Sequence, residues 1–161
     1  MLKYDNMWEQ FKQFCTNPIL VACLFSWFCA QFIKTIIKLV YGKIHSFPEL
    51  IELLVWRTGG LPSSHSALVT CLTTCIGMKN GINSDLFMLS FGFCLITIRD
   101  ALGVRRSSGV QASRLNEIGK QLDSKEIIEY VPIKEVQGHS PMEVVLGCIL
   151  GFFIGLAFNT L

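Results

Sequence analysis

Four stretches of this chain carry no Asp, Glu, Lys or Arg: Pro18–Ile33, Ser63–Met78, Leu86–Ile98 and Val144–Leu161, of 13 to 18 residues each. A helix needs about 20 mostly apolar residues to cross a bilayer. Each stretch is long enough only if polar residues at its ends also sit at membrane depth. Composition agrees: 51% of residues are hydrophobic, 16% are charged and the mean hydropathy is +0.47. Soluble domains carry about 25% charged residues. A disordered chain, a coiled coil and a nucleic-acid-binding arm are therefore poor fits, and no nucleic-acid partner is expected.

These stretches predict an all-α integral membrane bundle. It has about four transmembrane helices plus short amphipathic interfacial helices, in a single membrane-embedded domain over residues 1–161. The spans run from Pro18 to Tyr41, from the Pro62-Ser63-Ser64-His65 turn to just before Asn80, from Ser84 to Val104, and from Ser140-Pro141 to the C-terminus. Residues 1–17 read as a polar tail; no small-residue cleavage site follows the first apolar run, so that helix is expected to be retained. An amphipathic segment, Phe47 to Trp56, precedes the second span. Residues 105–139 hold six basic and five acidic residues and read as a solvated linker. Within it, Leu115, Ile118 and Leu122 suggest a surface helix over Gln111–Leu122. The seven cysteines form no CxxC pair and read as small buried hydrophobes, with no metal site expected. Gly147, Gly151 and Gly155 lie on one helical face, a packing signal that offers a surface for homo-oligomerisation.

Four helices in series alternate direction. One end of the bundle then collects Lys34, Lys38, Arg57, His65, Arg99, Asp100, Arg105, Arg106, His139 and Glu143. The loops at that end hold eight Lys and Arg residues against three at the other. This excess orients it towards the cytoplasm, in an integral protein of the cytoplasmic membrane.

The richest stretch is Arg57-Thr-Gly-Gly-Leu-Pro-Ser-Ser-His-Ser66. Gly59 and Gly60 permit close backbone approach. The turn opens a helix, and the N–H groups of a helix start form an anion site. Ser63 and Ser64 add hydroxyl donors, Arg57 adds a bidentate charge, and His65 sits at the rim. The plainer alternative is a helix cap, with Ser63 or Ser64 as N-cap. A second helix start, Gln137-Gly-His-Ser-Pro-Met-Glu-Val144, again sets a glycine before a histidine. Ser140 and Glu143 fit a capping box, with Pro141 at the first helical position. Glu143 can instead orient His139, holding one ring nitrogen protonated and the other free as a nucleophile. The two uses compete for one carboxylate. Two histidines at helix starts, among cations, fit phosphoryl transfer: one attacks phosphorus, the other protonates the leaving oxygen, and the cations bind the equatorial oxygens.

The third stretch is Arg99-Asp-Ala-Leu-Gly-Val-Arg-Arg106. Asp100 at membrane depth needs a partner, with Lys34, Arg105 and Arg106 as candidates, and a structural ion pair is favoured over direct catalysis. Gln31, Lys34 and Lys38 share a face of the first span. For Lys38, snorkelling to the interface is the alternative to a site role.

Pro62-Ser-Ser-His65 and His139-Ser-Pro-Met-Glu143 resemble the Pro-Ser-Gly-His and His-x-x-x-Asp motifs of the type 2 phosphatidic acid phosphatases. That superfamily includes bacterial acid phosphatases and vanadium-dependent haloperoxidases. With Asp-Ala-Leu-Gly-Val-Arg-Arg, the chain is similar to the short, divergent bacterial and plastid branch over residues 18–160. The resemblance implies a lipid phosphate phosphatase needing no metal and no cofactor, with vanadate as inhibitor. It implies His139 as nucleophile, Glu143 as its orienting carboxylate and His65 as general acid, with Ser63, Ser64 and the following amides on the phosphate. Ser64 and Glu143 stand where the family has glycine and aspartate. The family's first motif, a lysine followed six residues later by Arg-Pro, is absent, leaving Lys34 and Arg57 to supply those charges. The arginine expected six residues before the nucleophile falls on Ile133, leaving Lys134, Arg105 or Arg106. These departures keep a second reading open: a phosphate-headgroup binding or lipid transport protein without catalysis.

Overall fold

The computed structural model describes residues 5–42, 46, 51, 60–133, 135 and 138–160, with backbone alone at 5, 6, 105 and 106. The amphipathic segment expected over Phe47–Trp56 lies, Ile51 apart, outside them. The architecture is all-helical: α1 (Asp5–Cys15), α2 (Pro18–Val40), α3 (Ser64–Asn80), α4 (Asp85–Leu102), α5 (Val104–Asp123) and α6 (Pro141–Thr160). Among the described residues three stretches are long and apolar enough to cross a membrane: Pro18–Val40, Asp85–Asp123, in which α4 supplies the apolar part, and Pro141–Thr160; the span expected to open at Pro62 forms α3, which at 17 residues is not one of them. Local chemistry sets their starts. The Asn17 side chain accepts from Ile19 N–H with Pro18 in the first turn, and Ser84 accepts from Phe87 N–H.

α3 is the centre of the bundle and packs on α2, α4 and α6. Its 17 residues span about 25 Å. Two of its threonines bond to backbone carbonyls: Thr73 Oγ1 donates to Val69 O and to Ser90 O of α4, and Thr74 Oγ1 to Thr70 O. These residues are small, which lets backbones approach. Along α6, a Cβ on Gly147 would collide with Ser63 O and one on Gly151 with Ala67 O; on Gly155 it would meet Thr74 Cβ at 2.8 Å. Rising numbers on α6 meet rising numbers on α3, so the two run parallel. The glycine face expected to offer a surface to a second subunit is thus filled by α3 of the same chain. α4 runs antiparallel to α3, with Thr70 beside Cys94 and Gly77 against Phe87. α2 is antiparallel too, with Ala22 and Cys23 clustered on Cys71 and Cys75.

Two expectations change. The polar tail contains α1, whose Met7, Trp8, Phe11 and Phe14 are exposed on one face while Lys12 lies over the Trp8 ring. This is the pattern of an interfacial helix. The 105–139 linker is more ordered than a solvated loop: its helix is the whole of α5, joined to α4 through Gly103. The chain then doubles back along α5. Asn116 Nδ2 donates to Ile133 O and Glu135 Oε1, while its Oδ1 accepts from Ile133 N–H and the Tyr130 hydroxyl. The Tyr130 ring lies where a Cβ on Gly119 would be.

Gly151→Ala is expected to destabilise the protein by about 1–3 kcal/mol through overpacking, lowering the melting midpoint in detergent by roughly 3–10 °C. Gly92→Ala, on α4, where a Cβ meets nothing within 4 Å, is expected to be neutral or stabilising by up to about 1 kcal/mol, since alanine favours helix over glycine. Asn116→Ala leaves several partners unpaired. Hydrogen exchange is expected to quicken over residues 127–135 while α2, α3 and α6 keep their protection.

Candidate active site

The end of α2, the start of α3, the end of α4 and the start of α6 meet at one end of the bundle. Ser63 N–H donates to Glu143 O at 2.8 Å, binding the two helix starts together. Gly60, at φ +104°, precedes α3; a Cβ there would meet Lys34 Cγ at 3.2 Å and Lys38 Cε at 3.6 Å. The positive φ and the crowding both favour glycine at this point, and the approach to α3 lies against the stems of both lysines.

The two histidines come together from segments 74 positions apart in sequence, their ring centroids separated by 6.5 Å at an interplanar angle of 56°. His139 is 4% exposed, and its Nδ1 lies 2.8 Å from Glu143 Oε2. A carboxylate only accepts, so this partner puts the proton on Nδ1 and leaves Nε2 with its lone pair. The same Oε2 accepts from Ser140 N–H at 3.2 Å, and Glu143 N–H donates to Ser140 Oγ at 3.4 Å. The capping box and the histidine contact, expected to compete, are both made through one carboxylate oxygen. The helical i, i+4 spacing explains this: Glu143 in the first turn faces back over the residues preceding the helix.

Lys34 is 1% exposed, and its Nζ donates to Gln31 Oε1 at 2.9 Å. Gln31 is itself buried. Lys38 and Glu143 lie within electrostatic range of Lys34. A cation this deep, held by a neutral amide, favours any anion admitted beside it.

Ser63 is the N-cap of α3, accepting from Ser66 N–H at 3.4 Å and from Ser66 Oγ at 3.0 Å. The capping use expected as the plainer alternative is therefore made here. Ser64 is buried beside it. Asp100 is half-buried in the last turn of α4, and Arg105 and Arg106 occupy the first turn of α5. Arg57, Gly59 and Lys134 lie outside the described residues. Among the described residues no three His, Cys, Asp or Glu side chains are grouped to hold a metal ion. Sequence reasoning set Gln31 on the lysine face but missed its bond to Lys34, which the i, i+3 spacing allows. It also missed Ser66, whose place in the Ser-Ser-His-Ser run was the available signal. Nothing in the sequence pointed to the Asn116–Tyr130 contact.

No solved structure matches this chain. It is similar to an uncharacterized membrane protein, YuiD, of Bacillus subtilis (strain 168), with 36% identity over 152 residues that cover 88% of this chain and 93% of the relative. Residues 15–154 match the divergent PAP2 family. That span takes in α2, α3, α4 and the first 14 residues of α6, with both histidines, and the chain belongs to the divergent PAP2 family.

Proposed function

We propose that this membrane protein is a phosphatase that hydrolyses a lipid phosphate, a phosphomonoester or diphosphate, through a phosphohistidine on His139. The observation that carries the reading is the half-buried Glu143–His139 hydrogen bond, made beside the His65 ring. Glu143 holds Nδ1 protonated, so the Nε2 lone pair attacks phosphorus. The bond to the lipid oxygen breaks, and His65 gives that oxygen its proton. A water then attacks the phosphohistidine and gives its proton to His65. The P–N bond breaks, releasing inorganic phosphate. Lys34, with Arg57 and the first amides of α3, balances the phosphoryl charge; Ser64, Arg105, Arg106 and Lys134 are further candidates for this role. Asp100 supports the cations. A lipid substrate fits a site at the end of a membrane bundle, where the headgroup reaches the polar cluster while the tail stays in the bilayer. The excess of Lys and Arg in the loops at this end supports a cytoplasmic active face.

Phosphate release is measured with purified protein on phosphatidic acid, phosphatidylglycerol phosphate and polyprenyl phosphates and diphosphates. His139→Ala is expected to lower the rate by about a thousandfold or more while the protein stays folded. Glu143→Gln keeps the shape but loses the charge, and a loss of about a hundredfold or more is expected. Full activity in His139→Ala would overturn the mechanism. Vanadate is expected to inhibit as a mimic of the pentavalent phosphorus transition state. Tight vanadate binding with no phosphate release from any of these lipids would favour headgroup binding or transport instead.

A further inference from the structure

A second feature lies away from the histidines. α4 and α5 meet in an elbow at Gly103, and a groove of about 950 Å³ opens beside it. Leu95, Ile98 and Leu102 of α4 form its apolar wall, and Arg99 with Ser107 and Gln111 of α5 supplies polar groups. The groove is distinct from the bundle interior. On α4 the buried residues Ser90, Cys94 and Ala101 share one side. Leu95, Ile98 and Leu102 stand about a quarter turn round to one flank, and Asp100 lies on the other flank, from the 100° step of a helix. No histidine is among the residues lining the groove.

The order of groups along the groove identifies its occupant. Arg99 is in the last turn of α4 and exposed, at the depth where headgroups lie. Below Arg99, Ile98 and Leu95 continue the wall about 6 Å towards the bilayer interior, while Leu102 lies nearly one turn above it. A guanidinium above an apolar wall matches a phosphate above an acyl chain, and arginine binds phosphate through two parallel hydrogen bonds. Ser107 and Gln111 of α5 line the same groove and offer a hydroxyl and an amide to the lipid's polar oxygens.

We propose that the α4–α5 elbow binds an anionic membrane phospholipid at a site separate from the histidine pair, with its phosphate on Arg99 and its acyl chain along Ile98 and Leu95.

Ile98→Trp places a fluorescent reporter in the wall, read after subtracting the signal of the parent protein. The protein is reconstituted in phosphatidylcholine vesicles containing phosphatidylglycerol or phosphatidylcholine brominated on the acyl chains. Phosphatidylglycerol is a phosphodiester and is not consumed by a monoester phosphatase. It is expected to quench at about a fivefold lower mole fraction than phosphatidylcholine, the size of one basic residue's attraction to an anionic lipid. Arg99→Gln is expected to abolish that preference, and His139→Ala to leave it intact. Equal quenching by the two lipids, or a preference that survives Arg99→Gln, would overturn the proposal. Loss of the preference in His139→Ala would assign the lipid to the histidine site and overturn the separate one. If Ile98→Trp does not fold, the unsubstituted chain is examined with the two lipids spin-labelled. An excess of motionally restricted phosphatidylglycerol that Arg99→Gln removes is the expected result; no excess, or one that persists in Arg99→Gln, overturns the proposal.

Discussion

The close parallel contact between α3 and α6 carries the rest of the structure. Three glycines on α6 face the N-cap Ser63 and Ser66, Ala67, Cys71 and Thr74 along α3, so at these positions no Cβ on α6 keeps the backbones apart. In lipid, where the surroundings are as apolar as the side chains, tight van der Waals packing is what draws helices together. The register of that contact brings the two helix starts level. Ser63 N–H then reaches Glu143 O, and the histidines beside the two starts become neighbours.

The polar groups at this end follow from the same geometry. Ser63, Ser64, Ser66, Lys34, Gln31 and His139 are all buried there, and burial is tolerable only where each group finds a partner. One carboxylate oxygen of Glu143 serves both a helix-end amide and a histidine ring, so the device that starts α6 also fixes the tautomer of His139. Lys34 is held differently: its ammonium rests on the neutral amide of Gln31. The cluster is thereby arranged around positive charge, the balance an anionic phosphate calls for.

The surface divides the chain's work. α1 and α5 lie outside the α3-centred bundle and expose apolar faces, as interfacial helices do. The segment that folds back over α5 is pinned by Asn116, whose amide uses both its donor and its acceptor sides on the returning chain. The return runs from beside Asp123 to beside Asn116, back towards the α4–α5 elbow and the start of α6. The elbow groove presents its arginine and its apolar wall outward, towards lipid.

Much of this was legible in the sequence. Three of the four charge-free stretches located helices long and apolar enough to cross a membrane, alternation of direction put the unusual polar residues at one end, and the His139–Glu143 contact was implied by a spacing of four. These features are local: a helix repeats every 3.6 residues whatever it packs against. The glycine face was equally visible, but its partner was not, since small residues on α6 fit a second subunit as well as α3. The central place of α3 went unread: its serines and threonines make it less apolar than α2, α4 and α6, a signal that fits a helix surrounded by protein. The Asn116–Tyr130 clamp joins residues across a chain reversal that no periodicity encodes. The sequence by itself determined which segments are helical, where they begin and which residues share an end. The tertiary structure decided which faces are buried against each other, because that choice rests on the fit of small surfaces and not on their polarity.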